Sequence, residues 1–277
     1  MKGVSYKKFK GPQFGRCRVC LNEKALTWDH VPPQCVTPPE PWEMAGLLEY
    51  LQEEVREGEP FLSQNGVKFR TICDSCRGSL SHHDRALQEF VDFVHRLRVT
   101  KIELLDTMLI ECRPTAIARS VLGHLLTVNL SGQDGTFDGL ARQVVQDSDL
   151  SIPRELNIYY WSFPVQHVVA MKSFSMYRVG RLTDAVGIFS LLKFFPLGFL
   201  ISNLSTFEGL PSLSQWGSLP TSTKASIPFS LKHRPRATWP ERPDDSTIIC
   251  LNAEETIGAH PRRLRKGAWV ARRAKRV

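Results

Sequence analysis

Cys17-Arg18-Val19-Cys20, Trp28-Asp29-His30-Val31-Pro32-Pro33 and Cys73-Asp74-Ser75-Cys76 follow one another along the first third of this 277-residue chain. Two Cys-x-x-Cys pairs can place four thiolates around one zinc ion, because each pair sits on a tight knuckle that turns both sulfurs inward. Cys17, Cys20, Cys73 and Cys76 therefore read as ligands of a structural Zn2+ that replaces part of a hydrophobic core. The 52 residues between the pairs exceed the roughly 15 to 20 of a compact ribbon, so the 40–59 segment reads as an insertion. Lengthening a closed loop adds only about 0.6 kcal/mol per doubling, which a zinc site tolerates. Cys35, Cys112 and Cys250 have no partner at metal spacing and read as small core residues. With seven cysteines, four of them in knuckles, a metal site fits better than a disulfide framework, and a reducing cytoplasm is the expected setting.

Outward from these stretches, the prolines after His30 end any regular element. Leu47, Leu48, Leu51 and Val55 recur at helical spacing and predict an acidic helix over 42–57. Asn65-Gly66 is a hairpin signal, and 67–72 alternates apolar and polar residues as a half-buried strand does. Leu87, Phe90, Val91, Val94 and Leu97 predict a helix just after the second cysteine pair, and Pro114 introduces another over 115–128. Beyond Pro153, β-branched and aromatic residues predict strands at 157–163, 167–179 and 186–201, then a loop-rich 208–246 and a last strand at 246–251. The expected class is α+β. A zinc-bound module occupies 1–100 with an acidic helical insertion at 40–59, a helical connector 101–150, a β-rich part 151–255 and a basic tail 256–277.

The order Cys-x-x-Cys, Asp-His-Val-Pro-Pro, then a Cys-x-x-Cys opening a helix resembles the HNH endonucleases of the ββα-metal, zinc-bound treble-clef kind. It is particularly similar to the bacterial subgroup with that Asp-His-Val-Pro-Pro signature, and the resemblance covers residues 14–95. It implies hydrolysis of DNA phosphodiester bonds, with His30 as general base and Asp29 as a ligand of a catalytic Mg2+ or Mn2+. It also implies service in a mobile element, restriction or phage defence. Residue chemistry agrees, since an imidazole titrating near pH 6.5 can deprotonate water and a carboxylate suits a hard cation that stabilises phosphate charge. The other reading of His30 is a turn histidine held by the prolines that follow it.

In the family the remaining ligand is usually Asn or His just after the last cysteine or about one turn on. Here Arg77 stands there; it cannot bind a cation but can neutralise a substrate phosphate. Ser81, His82, His83 and Asp84 follow, and either His83 or Asp84 supplies the missing ligand or the cluster is a helix cap, with Ser81 as N-cap and Asp84 at N3. The second functional reading is accordingly a catalytically inactive zinc module that binds nucleic acid or a protein partner. His95, His124 and His167 sit among apolar residues and read as structural, while His233 and His260 read as loop residues on a basic surface.

The net charge of +8 is unevenly placed. Lys2, Lys7, Lys8, Lys10, Arg16 and Arg18 give the first 18 residues +6, and Arg262, Arg263, Arg265, Lys266, Arg272, Arg273, Lys275 and Arg276 give residues 262–277 +8. The body between them carries −6, the charge of residues 40–59 alone. An evenly basic shell is excluded. Both arms are candidate nucleic-acid contacts, with Trp269 in the tail as a stacking residue, and a solvated tail is the equal alternative. The arm ahead of Cys17 adjoins the catalytic residues in sequence, so it is the one expected nearer the cut. No apolar stretch follows the basic start, as a secretion signal requires. The most apolar run, 186–201, is interrupted by Lys193 and Pro196, so no membrane span is expected. A composition of 42% hydrophobic and 23% charged residues excludes a wholly disordered chain. The β-rich part shows no phosphate-binding glycine loop and no catalytic triad; it remains open to nucleic acid, a protein partner or an activating ligand.

Overall fold

The structure is a computed structural model that describes residues 7–51, 60–100, 106–128, 131–178, 187–242, 247–251 and 256–262. A short helix α1 (Lys7–Lys10) leads into β1 (Phe14–Arg16), β2 (Glu23–His30), β3 (Trp42–Gly46), α2 (Leu47–Leu51), β4 (Phe61–Ser63) and β5 (Lys68–Cys73). The long helix α3 (Asp74–Val99) follows, then β6 (Met108–Cys112), α4 (Pro114–Thr127) and α5 (Asp138–Gln146). The remainder is β7 (Asn157–Ser162), β8 (Val168–Arg178), β9 (Gly187–Phe194), β10 (Leu197–Ser202), β11 (Ala225–Phe229), β12 (Thr247–Cys250) and β13 (Thr256–Pro261).

These strands form three antiparallel sheets: β1-β2-β5; an eight-stranded sheet ordered β4-β3-β13-β8-β9-β10-β7 with β12 also on β8; and the pair β11-β6. The chain is thus a mixed helix and antiparallel-sheet protein. One buried cluster runs from Phe9 and Phe69 beside the small sheet, through Leu87 and Phe90 of α3 and Val121 of α4, to Tyr160 and Ala259 of the large sheet. Every residue of α4 is buried. Such a helix must be covered on all sides, and α3, α5, β5 and β9 all pack against it. The contact with α3 is close: a Cβ on Gly123 would lie 2.1 Å from Leu80 Cδ2.

Several expectations are corrected here. Trp42–Gly46 is not the start of a helix but a fully buried strand paired with β13; a strand buried on both faces loses the alternation that marks one in sequence, and the leucine spacing beyond it dominated the reading. Helix α2 keeps the helical reading over Leu47–Leu51, while Glu53, Glu54, Glu57 and Glu59 lie outside the described residues. Residues Thr256–Pro261 are not tail but a buried strand seated between β3 and β8. The 101–150 stretch contributes a strand, β6, which pairs with β11 from the stretch read as loop. Helix α3 starts at Asp74 with Cys73 at its N-cap. Ser81 therefore lies well inside the helix, its hydroxyl donating to Gly78 O at 2.7 Å, and is not its cap.

Candidate metal centre and adjoining groove

Cys17 and Cys20 occupy the turn that leaves β1, closed by Cys17 N–H donating to Asn22 O and Leu21 N–H to Cys17 O, both at 2.9 Å. Leu21 adopts φ 62, the left-handed conformation that lets the turn reverse within so few residues. Cys73 and Cys76 sit where β5 passes into α3. The strand pairing Leu26 with Cys73 brings the knuckles together, and all four sulfurs lie within 4.8 Å of one another. Cys20 Sγ is 3.9 Å from Cys73 Sγ, and Cys73 N–H points at Cys17 Sγ at 3.3 Å. The hydrogen bond between Cys17 and Cys76 holds the Cys17 thiol down at about 4 and pushes Cys76 up. Metal binding takes the thiolate form of such ligands and releases their protons. The four cysteines can hold a metal such as zinc, and the sulfur donor set suits it.

Beside this centre lies an open groove of about 720 Å³. Trp28, Asp29 and His30 at the end of β2 form one wall, and Arg77, Ser81, Asp84 and Arg85 on one face of α3 form the other. His30 Nε2–H donates to Asn65 O at 2.7 Å, in the hairpin between β4 and β5. A carbonyl only accepts, so in the neutral ring the free lone pair is on Nδ1. Burial holds the imidazole below its ordinary value, which favours the neutral ring.

Asp29 points the other way from His30, as strand alternation requires, and meets α4. His124 stands between the two walls, with Nδ1–H donating to Asp29 Oδ2 at 3.0 Å and Nε2–H to Asp84 Oδ1 at 2.9 Å. The Ser120 hydroxyl adds a bond to Asp84 Oδ1 at 2.8 Å. Both ring nitrogens donate, so His124 is an imidazolium. Burial pushes it down, but the Asp84 and Asp29 carboxylates outweigh burial and hold it up at about 10. The Asp84 carboxyl, pushed up by burial, is brought below its ordinary value chiefly by that cation. His124 is thus no mere apolar-core histidine. Its role was hidden because it reaches Asp29 across 95 residues of sequence.

Of the two candidates on α3 the groove takes Asp84 and not His83. His83 lies outside it, held down at about 4 by burial and the Arg119 guanidinium. Arg77 lines the groove but is paired to Asp74 at 2.9 Å. Among the described residues, the four cysteines are the one set of three or more such ligands that converges.

Arg16 pairs with Glu23 at the far end of β2, and the six residues from there to Asp29 span roughly 20 Å. The start of the arm lies nearer: α1 packs against β5, and Gly11 sits against the backbone of Arg70, the residue paired with Trp28. Lys10 is exposed, and Arg18 donates to Gly132 O at 3.2 Å. The Lys8 side chain and Arg263, Arg265, Lys266, Trp269, Arg272 and Arg273 lie outside the described residues. Arg262 follows β13, 4.0 Å from the Glu43 carboxylate. His260 is buried in β13 beside Glu43, not on a basic loop.

Compared with known proteins, the chain matches no family model, no curated protein and no solved structure. No described helix is long and apolar enough to cross a membrane.

Proposed function

We propose that this chain is a metal-dependent endonuclease of the HNH kind that hydrolyses DNA phosphodiester bonds, with β1, β2, β5 and α3 forming a zinc-bound treble-clef ββα-metal module. The observation that carries the reading is that Asp29, His30 and Asp84 all line one open groove, beside the four-cysteine centre. In it, His30 Nδ1 takes a proton from the attacking water, while the bond from Nε2–H to Asn65 O fixes the ring and shares the charge that develops. Hard carboxylate oxygens in a solvent-open groove suit Mg2+ or Mn2+, and Asp29 and Asp84 would hold it. When bound, such an ion supplies stabilisation of charge on the phosphate and the leaving oxygen. His124 and Ser120 orient the two carboxylates from behind. The role in phage defence or a mobile element rests on the sequence resemblance.

One observation favours the second reading, a zinc module that binds nucleic acid or a partner without cutting. His124 already places a cation between Asp29 and Asp84, using one oxygen of each. The two readings part on nicking by wild type, and two variants test the α3 ligand. Supercoiled plasmid with Mg2+ or Mn2+ is expected to be nicked by wild type and His83→Ala but not by Asp84→Asn. Loss in His83→Ala with retention in Asp84→Asn would overturn the assignment of the helix position.

A further inference from the structure

We infer that the outer face of β2 and β5 is a phosphate-binding wall that grips the nucleic-acid backbone beside His30 without reading bases. The inference rests on the phosphodiester reading of the adjoining groove and names how its substrate is held. Strand register sets Lys68 opposite His30 and Arg70 opposite Trp28. Asp29 and Phe69, the pair between them, are buried. Alternation therefore turns Trp28, His30, Lys68 and Arg70 to the same, outer side.

On that side the indole organises the cations. The Arg70 guanidinium lies 4.6 Å from the centroid of Trp28 and the Lys68 ammonium 5.6 Å. Cation–π contact fixes both charges in place without neutralising them. Neither has an ion-pair partner among the described residues, whereas the cations of the opposite wall are paired, Arg77 with Asp74 and Arg85 with Glu89. The unneutralised charge thus lies on β5, beside the groove and on the same face as His30. Trp28 lies under that charge, which favours phosphate contact over base stacking. Phosphate contacts position a duplex but carry no sequence information.

The test is binding, measured with His30→Ala protein so that cutting does not intervene. Fluorescence anisotropy follows two duplexes of unrelated sequence across a salt series. Lys68→Gln/Arg70→Gln is expected to make the slope of log affinity against log salt shallower by about 1.8, about 0.9 for each phosphate no longer neutralised, and equally for both sequences. Lys68→Arg/Arg70→Lys is expected to keep the slope, which separates the effect of charge from that of misfolding. An unchanged slope in the Gln variant overturns the inference, as does an equal change in Lys224→Gln/Lys232→Gln, whose exposed lysines lie outside the groove in pairs with Glu111 and Asp106. Failure of wild type to nick plasmid bears on the hydrolytic reading and leaves this binding result standing.

Discussion

Asp29 and Asp84 come from different elements and would repel one another across the groove without His124, whose ring nitrogens reach both at 3.0 and 2.9 Å. Removing one member of a buried ionic set leaves uncompensated charge, which costs about 3 to 5 kcal/mol. His124→Ala is expected to lower stability by that amount in urea unfolding, with an unchanged m-value; a loss under about 1 kcal/mol would mean the bridge is not formed. The sign of the pH dependence follows from the raised folded value. The bridge contributes fully below pH about 6.5, the unfolded value, and its contribution is lost as pH rises toward the folded value of about 10. Without added divalent cation, wild-type stability should therefore fall between those limits more steeply than that of His124→Ala. Parallel curves would contradict the charge assignment.

Helices α3 and α4 bring Asp84 and His124 together beside the end of β2, and their approach is set by Gly123 against Leu80. Alanine is a better helix former than glycine by roughly 1 kcal/mol, yet filling a buried contact costs about 1 to 3 kcal/mol. Leu80 is itself buried and has little room to yield, so packing wins. Gly123→Ala is expected to melt at a lower temperature than wild type, and a higher melt would show that the helices part freely. At the other end of α3, Cys73 serves both the N-cap position and the metal centre. Cys73→Ala should lose about one equivalent of zinc per chain along with helical signal, and a folded, zinc-replete variant would contradict the four-cysteine site. The knuckles, Asp29-His30 and α4 after Pro114 were legible because each signal is local. The Lys68–Arg70 alternation was equally visible in sequence, but its meaning needed the register with Trp28 and His30. His124 was not legible, since nothing near it in sequence points to Asp29 or Asp84.

Across the whole molecule, the part read as a separate β-rich unit and the zinc-side segment share one sheet, because β3 and β4 join it through β13. That strand has only Ile257 as a large aliphatic residue and ends in His260-Pro261, so nothing in its sequence marks it as interior. A chain ending at Leu251 loses β13, the strand linking β3 to β8, and is expected not to fold cooperatively; a sharp thermal transition in it would contradict the shared sheet. The most direct measurement of the central claim is nicking of supercoiled plasmid by zinc-loaded wild type and His30→Ala in parallel, with and without Mg2+ or Mn2+. Cation-dependent nicking by wild type that falls about 100- to 10,000-fold in His30→Ala is the expected result. No nicking by wild type while it binds the plasmid, or equal nicking by both proteins, would contradict it.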